Sequence, residues 1–296
     1  MRWPTPCGDR HRLPAGRAPG PGRTGAGAVF YPARVLTALA ARRVPVLAAC
    51  ALAFAALIAA AALAPLPYTL AQPGVTADVL GEHEGEPVIA VEGADGAGAV
   101  AGGELLMTTI AATPPDATVR LTDVVSGWFA GDRAVMPTDV VYPVGDSPEE
   151  IREYNEDAMT QSQTAAEAAA FDTLGSAGDD VDVTLRLDEI GGPSAGLLFA
   201  LGIIQKAGGE DLTGGRTIAG TGTIEADGTV GPVGGVPLKT QAAARDGASV
   251  FLVPRAECAQ ARAELPDGLR LVPVRTLDGA LDALEGLREG GGVPRC

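Results

Sequence analysis

Val181-Asp182-Val183-Thr184-Leu185-Arg186-Leu187-Asp188-Glu189-Ile190-Gly191-Gly192-Pro193-Ser194-Ala195-Gly196 reads as a strand, a turn and the opening of a helix. Val181, Val183, Leu185 and Leu187 alternate with Asp182, Thr184, Arg186 and Asp188, the period of a half-buried strand. Two glycines and a proline then turn the chain into an apolar run, Ala195 to Ile204, long enough for a buried helix. Pro193 suits the first turn of that helix, because its missing N–H is unneeded there. Ser194 therefore sits at the positive end of a helix, where unbonded N–H groups can hold a developing oxyanion.

A serine nucleophile needs a base. Gly192-x-Ser194-x-Gly196 has the spacing of a nucleophile elbow, which requires an acid and then a histidine downstream. Both histidines, His11 and His83, lie upstream, so that order fails. An order using His83 is poorly supported, because Gly-Pro-Ser-Ala-Gly is unlike the chymotrypsin nucleophile motif. Arginine stays protonated. The chain has only two lysines, Lys206 and Lys239. Lys206 lies twelve residues along the same helix, about 18 Å from Ser194 at 1.5 Å per residue. Lys239 follows Gly234-Gly235-Val236-Pro237-Leu238, and Gly247 closes the segment, which brackets a short helix with Lys239 in its first turn. A cation there meets the unfavourable end of the helix dipole, which lowers its pKa as a base requires. Singly, Ser194 reads as a helix cap and Lys239 as a solvated surface lysine. Together, each beside paired glycines, they read as nucleophile and base.

Asp188 to Gly196, Ala219-Gly220-Thr221-Gly222-Thr223-Ile224, and Gly231-Pro232-Val233-Gly234-Gly235-Val236-Pro237-Leu238-Lys239 together resemble the proteolytic domain of Lon-type serine peptidases. The resemblance covers roughly residues 101–287, best 183–254. It implies a Ser–Lys dyad of Ser194 and Lys239, an endopeptidase activity, and an orienting role for Thr221 near the lysine. Gly192 and Ala195 flank the serine as supporting positions. Cytosolic relatives usually carry an aspartate three residues before the serine; Gly191 stands there in this chain, which leaves Asp188 or Glu189 to supply an acid, or none. Met159 to Ala170 resembles the long helix that precedes the catalytic strand.

Outward from these blocks, charge divides the chain. Residues 1–43 carry eight arginines and one aspartate, formally +7, so the −15 of the whole leaves −22 on the remainder. An acidic body without a basic stripe argues against nucleic acid. Residues 1–43 are expected as a basic tail, its Pro/Gly/Arg-rich first 35 residues disordered. The uncharged run Val44 to Ala64 matches the thickness of a bilayer core, so 44–66 is expected as a transmembrane helix. Arg42 and Arg43 before it place the N-terminus in the cytoplasm and the body outside the cell. A cleaved signal peptide is the rival, disfavoured by Pro65 after Ala62-Leu63-Ala64. Residues 67–100 are expected as a juxtamembrane segment and 101–290 as the peptidase domain. The layout resembles the YlbL-type peptidases of Gram-positive bacteria, although only Gly175 to Asp180 stand where those carry a PDZ module.

Strand-like runs fall at Pro87–Val91, Glu104–Ile110, Thr118–Leu121, Val140–Tyr142, Ser249–Val253 and Arg270–Val274, and Ala226-Asp227-Gly228 reads as a hairpin turn. Ser147-Pro148-Glu149-Glu150 opens a helix to about Leu174, and Thr276 caps a last helix. Strands and helices mix without a strict βαβ rhythm, so the fold class is α+β. Trp128 and Phe129 are expected to anchor the core, with a substrate groove as their second use. Cys258 and Cys296 could pair outside the cell or remain free thiols. No metal-ligand spacing and no phosphate-loop motif are present, so no cofactor and no ATP are expected. The expected partners are a protein or peptide substrate and, through residues 44–66, the bilayer; a homo-oligomer is left open. The competing readings are a catalytically silent, membrane-tethered binding or assembly protein of the same fold and, last, a small-molecule kinase suggested by the glycine-serine turn.

Overall fold

The computed structural model describes residues 33–93, 102–142, 147–178, 181–186 and 192–296. The chain divides into two units, Met1–Ile58 and Ala59–Cys296. Helix α1 (Ala33–Leu63) contains the stretch Arg43–Leu63, long and apolar enough to cross a membrane. It starts eleven residues earlier than the expected span, so residues 33–43 are helical rather than tail. It also stops earlier, because Pro65 and Pro67 disfavour helix in the residues before them. Leu66, expected inside the span, donates its N–H to Val119 O.

The second unit runs β1 (Tyr68–Asp78), β2 (Ile89–Glu92), β3 (Glu104–Ala112), α2 (Leu121–Phe129), β4 (Ala134–Pro137), α3 (Pro148–Leu174), β5 (Asp182–Leu185), α4 (Gly196–Gly208), β6 (Thr217–Gly220), β7 (Thr223–Ile224), β8 (Val230–Gly231), α5 (Val236–Arg245), β9 (Val250–Pro254), α6 (Cys258–Ala263), β10 (Arg270–Val274) and α7 (Leu277–Arg288). Among the described residues six strands form one mixed sheet in the order β10-β9-β6-β3-β1-β4. The neighbours from β10 to β3 run parallel, and β1 is antiparallel to both β3 and β4. A second, small pair joins β2 to β5, and β7 pairs with β8 across the expected turn.

Both faces of the sheet are covered, which is why its inner strands read as continuous apolar runs. Leu105, Met107, Ile218, Leu252, Val272 and Val274 pack with α3, α4 and α7. Their alternates Leu106, Ala219, Phe251, Val253 and Leu271 pack with α5 and α6. The period of two along a strand thus splits each run between two cores.

Several expectations change. Within the expected juxtamembrane segment 67–100, residues 68–78 and 89–92 belong to the body: β1 is an internal strand of the main sheet, with a bulge between Pro73 and Thr76, and β2 holds the strand before the serine turn. Thr118–Leu121 forms no strand beyond the Leu66–Val119 bridge, and Leu121 opens α2. Val140–Tyr142 lies in and just after a short helix, Thr138–Val141. Trp128 and Phe129 do not anchor the core; they are 70% and 88% exposed. Helix α2 buries Val124 and Gly127 instead, so its aromatic pair lies on the outward side.

Candidate active site

Ser194 lies in a 3-10 turn, Pro193–Ala195, that feeds directly into α4. Three donors pin this turn. The Ser162 hydroxyl of α3 donates to Pro193 O at 3.1 Å. The Gly222 N–H and the Thr221 hydroxyl both donate to Ser194 O, at 2.8 and 3.2 Å. Leu197 N–H returns to Gly222 O at 3.1 Å. Gly196 is required for this approach: a Cβ there would stand 2.7 Å from Ser162 Oγ and 2.9 Å from Ile224 Cγ2. Ser194 itself is half-buried, and among the described residues neither its hydroxyl nor its backbone N–H has a hydrogen-bond partner.

Lys239 comes from the other face of the sheet. Gly235, at φ 70°, turns the chain beneath Ile110 and accepts the N–H groups of Leu238 and Lys239, which starts α5. Lys239 is 3% exposed, and its amine donates to Thr221 Oγ1 at 3.0 Å. Thr221 follows the last residue of β6, held by its N–H to Leu252 O. It therefore bridges the two faces where β6 ends, at the kind of strand-end crevice that hosts sites in α/β sheets. Its hydroxyl accepts from Lys239 and donates to the Ser194 carbonyl, so its rotamer is set at both ends.

Burial lowers the Lys239 pKa from 10.5 to about 8, opposed by the negative charge of Glu257. Desolvation is the largest cause. Glu257 was not singled out in the sequence. It lies in the turn Arg255–Glu257 after β9, is 5% exposed, and accepts the N–H groups of Val233 and of its own residue. Burial raises its pKa, with Lys239 and these N–H groups opposing. Its Oε2 has no hydrogen-bond partner. An acid in a polar loop carries no local signal; only folding reveals that it is enclosed near a lysine.

The remaining positions are distributed as follows. Gly192 caps the serine turn, and its carbonyl takes the Ala195 N–H at 3.1 Å, so Ala195 has no free N–H to offer an oxyanion. Asp188, Glu189 and Gly191 lie outside the described residues. Lys206 donates to Ile89 O at 2.7 Å near the far end of α4. His83 lies in a short hairpin with Glu86, and His11 outside the described residues. Cys258 and Cys296 form a disulfide that ties the C-terminal segment to the residue after Glu257. Cys50 is a free thiol in α1, and Cys7 falls outside the described residues. Among the described residues no group of His, Cys, Asp or Glu is arranged to hold a metal ion.

This arrangement offers a half-buried serine at a helix start, a buried amine that loses its proton around pH 8, and a hydroxyl that accepts a hydrogen bond from that amine. Residues 156–285 match the family of the Lon protease (S16) C-terminal proteolytic domain. The match opens in α3 and closes in α7, leaving β1, β3 and β4 outside it although they belong to the same sheet. No curated protein matches the chain.

Proposed function

We propose, for a chain whose residues 156–285 are a Lon-type proteolytic domain and so support a serine peptidase, an ATP-independent endopeptidase that is membrane-anchored and extracytoplasmic. Ser194 is the nucleophile and Lys239 its general base. The observation that carries this reading is the buried Lys239 amine held by Thr221, which also bonds Ser194 O.

Neutral Lys239 donates one N–H to Thr221 and keeps its lone pair for the Ser194 proton. As the proton leaves, Ser194 Oγ attacks the peptide carbonyl carbon. The resulting oxyanion is held by the unbonded Ser194 N–H at the positive end of the turn and α4. The Lys239 ammonium then protonates the leaving amine, the C–N bond breaks, and an acyl-enzyme remains. Neutral Lys239 then takes a proton from water, the hydroxide attacks the ester, the acyl C–O bond breaks, and the Lys239 ammonium returns the proton to Ser194 Oγ.

Arg42 and Arg43 before the apolar stretch support a cytoplasmic N-terminus, and the Cys258–Cys296 disulfide supports an oxidising compartment for the body. ATP-independence is proposed because the sequence holds no phosphate-loop motif. The test uses the full chain in detergent micelles, without ATP, on unfolded casein. Wild type should cleave, and Ser194→Ala and Lys239→Ala should not, with circular dichroism unchanged. Cleavage should rise about tenfold per pH unit below about 8 and level off above it. A flat profile from pH 6 to about 9 would remove Lys239 as the base.

A further inference from the structure

Beyond α1, the described residues expose eight large apolar side chains, and five of them lie between positions 121 and 140. Leu121, Val125, Trp128 and Phe129 fall at i, i+4, i+7 and i+8 of α2, a continuous stripe down one side of the helix. Val140 is the fifth. The opposite side of α2 is spent on the body: a Cβ on Gly127 would meet Val135 at 2.9 Å and Leu70 at 3.3 Å.

What this stripe hangs on is the first few residues after α1. Leu66 N–H bonds Val119 O, two residues before α2. Thr138 N–H bonds Pro67 O, and Thr69 Oγ1 bonds Thr138 Oγ1, two residues before Val140. Leu70 pairs with Val135 and underlies Gly127, beside Trp128. Each of these attachments falls within seven residues of Leu63, where the apolar helix ends. At 3.8 Å or less per residue, the seven residues from Leu63 to Leu70 span at most about 27 Å, so these attachment points stay within about 3 nm of that end.

We propose that the exposed stripe of α2, with Val140, inserts into the headgroup and upper acyl region of the bilayer in which α1 is anchored. This rests on the membrane-anchored reading above. Trp and Phe are the side chains that favour that depth. The patch is five side chains, well short of the roughly 20–30 residues per partner of a stable protein interface. A tethered lipid contact needs less, because the anchor has already brought the two surfaces together. The body's formal charge of −22 gives it no attraction to anionic headgroups, so insertion is apolar and proceeds on zwitterionic lipid.

The chain has two tryptophans, Trp3 and Trp128, so Trp3→Phe leaves Trp128 as the only reporter. The full-length Trp3→Phe chain is reconstituted into phosphatidylcholine vesicles, with and without brominated acyl chains, and flotation is checked first. Trp128 emission should fall about twofold in brominated vesicles, as expected for a ring about 5–10 Å into the headgroup/acyl boundary. It should also be shielded from iodide, and adding Val125→Ser and Phe129→Ser should reverse both effects. A chain that floats but keeps full Trp128 emission and full iodide access overturns the insertion while leaving the anchor standing. A chain that does not float overturns the anchor, and the tether argument with it. Iodide shielding without bromine quenching also overturns the proposal. If it grows with protein density it points to a second copy; if it needs added casein, to a substrate surface.

Discussion

Replacing Lys239 by methionine isolates the energetic cost of burying this amine. Methionine keeps nearly the same length and volume and removes the charge. In the folded chain Lys239 titrates at about 8 instead of 10.5. At 1.36 kcal/mol per pH unit, that difference is about 3 kcal/mol. Because the folded pKa is the lower one, the unfolded chain binds the extra proton between pH 8 and 10.5. The cost is therefore fully present below about pH 8 and fades as pH rises towards 10.5. Methionine removes that cost but also the hydrogen bond to Thr221, worth about 1 kcal/mol. The expectation is a variant about 2 kcal/mol more stable than wild type near pH 7 and about 1 kcal/mol less stable near pH 11. Urea unfolding of the full chain in nanodiscs, followed by circular dichroism at both pH values, measures the difference with the slope checked for constancy. A variant destabilised equally at both values would refute the reasoning, since it would mean that Lys239 carries no buried charge.

Further outcomes follow from the contacts of the site. Glu257→Gln removes the charge that holds the Lys239 pKa up, so the acidic limb of the casein pH profile should move to lower pH; an unmoved limb would mean that the two groups do not interact. Thr221→Val deletes the hydroxyl that orients the amine and should lower kcat by about 10- to 100-fold, with Thr221→Ser restoring most of it. Equal losses in both variants would point to packing rather than hydrogen bonding. Gly196→Ala should cost about 1–3 kcal/mol in the urea midpoint, because Ser162 and Ile224 stand in the way of its methyl group. A neutral Gly196→Ala would show that α3 yields readily.

Features written in nearby residues were legible in the sequence. The serine turn shows in two glycines, a proline and an apolar run. The start of α5 shows in Gly235 and Pro237, and α3 in Ser147-Pro148, where Ser147 indeed caps the Glu150 N–H. The elimination of Lys206 needed only the rise of a helix, and the structure has it bonded to Ile89 O instead. Each of these is set by backbone sterics and local hydrogen bonding within a few residues.

Tertiary structure decided whatever depends on residues distant in sequence. Residues 68–78, expected as part of a juxtamembrane segment, become an internal strand because β3 and β4 supply partners on both sides. The aromatic pair of α2 turned outward because the helix buries Val124 and Gly127 instead, with Gly127 against Val135 and Leu70. Lys239 owes its lowered pKa mainly to burial, which only the packed chain supplies. Glu257 became its electrostatic neighbour because the turn after β9 returns to the loop before α5, where the carboxylate accepts the Val233 N–H. Composition and spacing thus determined which groups the chain possesses and how each local segment turns. Burial and charge proximity, which set the reactivity of those groups, arise only once segments far apart in sequence exclude water from the same space.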